Sequence, residues 1–202
     1  MAPAARVAPE LAAELPGLRL RVTAVDADGP VTDRAPRELR DRLGELSDRF
    51  RGGQAIELRR QELPHAHRVL FRHLGLDPDE HRPPLEAAVL ERLLRGGFRS
   101  TTLLADALLV ALVETGVGVW ALDGATVTGD LELRPEPPGG AVVIGDDAGT
   151  VAPIFADPPP DRAPTKDSRA IVLYAVGAPG VPDLFVDEAL WLASEPLTPG
   201  GC

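Results

Sequence analysis

The sequence predicts an α/β (α+β) fold in which mixed or antiparallel strands surround one buried central helix. Three observations predict it. Between Leu103 and Val113 the only charged residue is Asp106, so a helix there is apolar nearly all round and belongs in an interior. Val117 to Leu122 leaves that helix as an apolar strand. The second half then alternates short apolar runs with Gly- and Pro-rich turns, the pattern of successive short strands.

The elements follow in order. Residues 1–17 read as an N-terminal extension, loose except for a short helix over Val7 to Glu14, and residues 18–198 as one domain with a tail at 199–202. Leu18 to Val25 alternates apolar and polar side chains, which predicts a half-exposed strand. Pro36 to Phe50 places Leu39, Leu43, Leu46 and Phe50 on one helix face, with Gly52-Gly53 ending it. A short helix over Pro64 to Leu74 follows. Pro83 and Pro84 suit the entrance of a further helix, whose apolar residues Leu85, Val89, Leu90, Leu93 and Leu94 recur at helical spacing before Gly96-Gly97. The central helix runs from about Ser100 to Thr115 and stops at Gly116. Strands are expected at Thr126–Arg134, Ala141–Ile144, Thr150–Ala156 and Ala170–Val176. Turns fall at Asp123-Gly124, Pro137 to Gly140 and Gly145 to Asp147, and residues 157–168 form a proline-rich loop. Leu184 to Ser194 reads as a last helix packing Phe185, Leu190 and Leu192.

At 202 residues the chain is long enough for a proper core, and no apolar run approaches the length of a membrane span. Its first residues lack a signal-peptide core, and its one cysteine, Cys202, cannot build an internal disulfide framework, so a cytoplasmic protein is expected. The formal net charge of −10 is unevenly placed. Residues 1–100 hold 17 Lys/Arg against 16 Asp/Glu, and residues 101–202 hold 4 against 15. The second half would therefore repel phosphate, which weighs against strong nucleic-acid binding. The four histidines lie together at His65, His67, His73 and His81, but their spacing fits known metal-ligand patterns poorly, and neither a metal nor another cofactor is expected.

An ordered run of motifs carries a resemblance. Pro84, Gly97, Ala105-Asp106, Gly116, Asp123 and Gly129-Asp130-Leu131-Glu132-Leu133-Arg134 follow one another as in the editing domain of the bacterial phenylalanyl-tRNA synthetase β subunit. The chain resembles more closely the freestanding proteins built from that B-three/B-four module, over roughly residues 12–198. The resemblance implies an editing-domain-like fold and a pocket that holds an amino acid esterified to a tRNA end, where positioned water cleaves the ester. The family's pocket-forming Thr-Asn pair, His and Glu align with Leu108, Leu109, Trp120 and Tyr174 here. Two leucines and a tryptophan cannot act as a base, so the implied pocket has become apolar and aromatic. Arg68 matches a recurrent arginine that braces the fold.

Asp106, Glu86 and Thr102 remain as candidates for catalysis. Asp106 is a lone acid on a buried helix, a place that suits either a structural partner or a functional carboxylate. Thr101 and Thr102 open the central helix, where free N–H groups bind an anion or are simply capped. Arg162 and Thr165 resemble part of a family segment on the proline-rich loop, which could clamp a ligand or stay solvated. With Leu108, Leu109, Trp120 and Tyr174 they complete the expected ligand contacts. Two functions follow. One is recognition of an aminoacyl-tRNA end, or of an amino-acid-like ligand, with hydrolysis of an aminoacyl ester. The other is a repurposed scaffold that acts as an enzyme or binding protein on a hydrophobic small molecule in specialised metabolism.

Overall fold

The computed structural model describes residues 3–50, 53, 57–136 and 140–198. Among these, six α-helices accompany two separate sheets, where the sequence suggested one. The first sheet holds strands β1 (Ala5–Val7), β4 (Leu131–Pro135), β5 (Val142–Asp146) and β6 (Gly149–Pro153) in the order β1-β4-β5-β6. Only β1 and β4 run parallel, so this sheet is mixed. The second holds β2 (Arg19–Asp26), β7 (Ala170–Gly177) and β3 (Val119–Asp123) in the order β2-β7-β3, antiparallel throughout. Both sheets contribute to one main core, which holds Leu131, Leu133 and Ile144 from the first and Leu122, Leu173 and Tyr174 from the second.

Residues 1–17 are not a loose extension from Ala5 onward. β1 pairs with β4, and helix α1 (Pro9–Glu14) buries Leu11, with Ala8 and Leu15 also in the main core. The predicted strand at Thr126–Arg134 starts late, at Leu131. Gly124–Thr126 forms a 3₁₀ turn capped by the Asp123 side chain, and Gly129 takes a left-handed conformation (φ 73°) before pairing begins. The expected turn at Pro137 to Gly140 and the Gly52 stop lie outside the described residues, apart from Gly140 itself.

Helix α2 (Arg37–Arg49) buries Leu39, Leu43 and Leu46 as its periodicity requires. Helix α3 (Glu62–His73) buries His67, Arg68, Leu70 and Phe71. Helix α4 (Pro84–Arg95) departs from its expected face: Leu85 and Val89 are buried, but Leu90 and Leu93 are more than a third exposed and Leu94 is 79% exposed. Its apolar stripe is wider than the neighbour it packs on. The left-handed Gly96 (φ 79°) ends it.

Helix α5 (Leu103–Thr115) is the predicted central helix, but it centres a helical layer and is not wrapped by sheet. Ala107, Val110 and Val113 meet Leu39, Leu43 and Leu46 of α2 on one side. The last helix, α6 (Asp183–Ser194), covers another side and also packs on β7. That helix buries Val186, Ala189, Leu190, Leu192 and Ala193, whereas Phe185, expected inside, is 38% exposed.

Candidate ligand site between the sheets

The register of the second sheet places Val22, Tyr174 and Trp120 side by side across β2, β7 and β3. Residues directly opposite one another share a sheet face, and neighbours along a strand point the other way. The other face is identified by Arg21, which pairs with Asp183 (3.2 Å) and Asp187 (3.5 Å) of α6. Tyr174 and Trp120 therefore face away from α6, toward the first sheet and α3. Gly118, two residues before Trp120, makes room for the indole: a Cβ there would lie 2.6 Å from the ring.

Five rings gather on that face. Trp120 stacks on Tyr174 with centroids 5.9 Å apart and planes 21° apart. Phe155 meets Trp120 edge-on at 5.9 Å, stacks on Phe71 at 4.8 Å, and receives the His67 ring at 6.3 Å. Such pairs hold together through complementary ring edges and faces, beyond the area they bury. Phe155 is also the one non-glycine residue with a positive φ (57°) among the described residues. A bulky side chain in that region marks strain held by its surroundings.

One buried polar atom in this cluster lacks a partner. The Tyr174 side chain is buried, and its hydroxyl makes no hydrogen bond. Burial, and then the negative charge of Asp157, push its pKa well above the ordinary phenol value. His67 donates from Nδ1 to the carbonyl of Leu63 (3.0 Å); because a carbonyl only accepts, Nδ1 carries the proton and Nε2 keeps a lone pair. Burial lowers the His67 pKa, with the Leu63 bond partly opposing it, so the ring is neutral near pH 7.

Two residues further along the same strands, about 6.7 Å away, the sheets part. Ala24, Asp26, Ala170 and Val172 form one wall and Val127, Gly129 and Asp130 another of a cleft of about 590 Å³. That volume suits a small ligand. Asp130 is held by the Ala4 N–H (2.9 Å) and Arg6 (3.6 Å). A second, more apolar groove of about 560 Å³ lies between α3, α4 and the entrance of α6, lined in part by Leu63, Leu85, Val181 and Phe185. None of the residues expected to act on a ligand lines either cavity.

The remaining sequence-predicted residues are dispersed. Leu108 packs against the main core, while its neighbour Leu109, one helical step round, packs with Leu39, Leu43 and Leu46 against α2. The two do not form one wall with Trp120. Among the described residues Asp106 makes no salt bridge. Its Oδ2 accepts from the Ser100 hydroxyl (2.5 Å) and its Oδ1 from the Thr101 N–H (2.8 Å). The Thr102 hydroxyl accepts from the Ala105 N–H and caps α5. Glu86 is buried between Arg68 and Arg59, each 3.0 Å away. Arg68 also donates to Asp79 (2.8 Å), whose carboxyl it holds below the usual range. Arg162 donates to the Thr126 carbonyl and lies 3.6 Å from Asp146; Thr165 closes a turn with Asp167 and Ser168, and Ser168 donates to Asp123 (2.6 Å). These bonds fasten the proline-rich loop to the end of β3. Among the described residues no three His, Cys, Asp or Glu side chains gather as a metal site.

His67, Phe71 and Phe155 are the residues that sequence reasoning missed. His67 and Phe71 stand four apart on one face of α3, a signal present in the chain. Phe155 had no such signal, since only the β6 exit brings it to the other rings. Comparison with known proteins finds no family model that matches this chain and no curated protein that matches it.

Proposed function

We propose that this protein is an editing-domain-like scaffold that binds a small molecule with a planar aromatic part between its two sheets. The observation that carries the reading is the Trp120–Tyr174 stack with its buried, unpartnered hydroxyl. Aromatic faces hold a flat apolar body, and a hydroxyl without a protein partner is available to orient it. Binding is favoured over ester hydrolysis because Asp106, Glu86 and Thr102 all engage their side-chain oxygens in bracing or capping. A group so engaged is poorly placed to activate water.

Trp120 reports on the site directly. In a Trp191→Phe background, which removes the exposed tryptophan, titration with aromatic acids and amines should give a saturable change in Trp120 fluorescence. The absence of any saturable change across aromatic and aliphatic ligands would overturn the reading. The ordered run from Pro84 to Arg134 supports a second reading, recognition of an aminoacyl-tRNA end with hydrolysis of its ester. Turnover of an aminoacyl-tRNA panel by the protein would support that reading. Inactivity of both the protein and a Leu109→Asn variant would remove it.

A further inference from the structure

The place held by the Phe155 ring has the features of a binding position. Phe155 follows β6 with a left-handed backbone that bulky side chains avoid. Phe155 is partly buried, whereas the rings it touches or approaches are closed in: Phe71 is 2% exposed, His67 3%, Trp120 8% and Tyr174 1%. Phe155 is therefore the ring of the cluster nearest to solvent. A phenyl ring offers no hydrogen bond to the cluster. The Tyr174 hydroxyl is buried there without a partner, and the His67 ring makes its hydrogen bond through Nδ1, which leaves the Nε2 lone pair to a donor from outside the protein.

We propose that Phe155 is a gate whose ring holds the place of a ligand's ring, and that the ligand is a heteroaromatic carrying an N–H donor for His67 Nε2. This deepens the aromatic-ligand reading above and rests on it. The ligand ring stacks on Phe71 and Trp120 as Phe155 swings out, its N–H donates to Nε2, and the Tyr174 hydroxyl meets a second polar atom. A ligand that must displace a resident side chain binds more weakly than the open site would allow, because only a fraction of molecules is open at any moment.

Calorimetric titration with indole, and with benzofuran as the ring of matching shape that lacks the donor, tests both parts. Indole should bind the unaltered protein, and bind Phe155→Gly about tenfold or more tightly. Benzofuran should bind about tenfold more weakly than indole, and His67→Leu should erase that difference. Phe155→Ala removes the ring with the least change in backbone preference and carries the test if the glycine variant does not fold. Indole binding that is equally tight in the unaltered protein and in both Phe155 variants would overturn the gate while leaving the aromatic-ligand reading intact. Equal affinity for indole and benzofuran in the unaltered protein would overturn the donor assignment. No binding of any aromatic probe by any variant would remove the inference together with the reading beneath it.

Discussion

Two regions of this molecule bury titratable groups, and they treat them in opposite ways. At the corner of α3 and α4, Arg68 and Glu86 are both buried, and every charge has a partner: Arg68 reaches Glu86, Asp79 and the Pro78 carbonyl, and Glu86 also meets Arg59. Between the sheets, Tyr174 and His67 are buried as deeply, yet the Tyr174 hydroxyl lacks a partner and His67 bonds the protein through Nδ1 alone. Buried polar atoms are nearly always satisfied, so an unsatisfied hydroxyl among aromatic rings asks for a reason while a satisfied ion network does not. The corner is a brace, and the inter-sheet cluster is where we propose that a ligand binds.

That contrast breaks most readily at the corner. Arg68→Ala removes the deepest guanidinium and should lower the unfolding free energy in urea by about 3 kcal/mol. A change within about 0.5 kcal/mol, as at an ordinary surface position, would mean that the corner braces nothing. Glu86→Gln should likewise reduce stability and leave ligand affinity untouched. A smaller loss is expected for Asp106→Ala, about 2 kcal/mol, as the Ser100 hydroxyl and Thr101 N–H lose their acceptor. If that variant instead keeps its stability and loses ligand binding, Asp106 belongs to the site and not to the helix cap.

Acid should act through His67. Its folded pKa lies below the unfolded value, so on acidification the unfolded chain takes up a proton that the folded protein does not. The contribution is fully present above about pH 6.5 and is lost as the pH falls toward the lowered folded pKa, with a slope of at most about 1.4 kcal/mol per pH unit. His67→Leu should flatten this part of the profile in urea melts between pH 8 and 5; an unchanged slope would show that the ring is not held neutral by burial. The smallest effect sharpens the comparison most. Tyr174→Phe removes a buried hydroxyl that has no partner, so it should leave stability unchanged or raise it by up to about 1 kcal/mol. The same variant should weaken aromatic-ligand binding. A clear loss of stability would place a hydrogen bond on that hydroxyl and end its role as a free contact.

Much of this protein was legible in one dimension because local physics is written locally. Periodicity located α2, a nearly unbroken apolar run located α5, glycine located the left-handed ends at Gly96 and Gly116, and alternation located β2. The sequence also singled out Trp120 and Tyr174, and the sheet register does set them side by side. Tertiary structure decided the rest, since it depends on contacts between distant residues. Ala5–Val7 becomes a strand only because β4 offers an edge more than 120 residues later. Leu108 and Leu109 separate because adjacent helix positions point about 100° apart and two cores lie on either side. Asp106, Glu86 and Thr102 are acids and a hydroxyl in any reading of the sequence; only their neighbours in space make them caps and braces. His67 and Phe71 of α3 meet Phe155, and Phe155 meets Trp120, only where helix and sheets pack together, and the unsatisfied Tyr174 hydroxyl exists only in that packed arrangement.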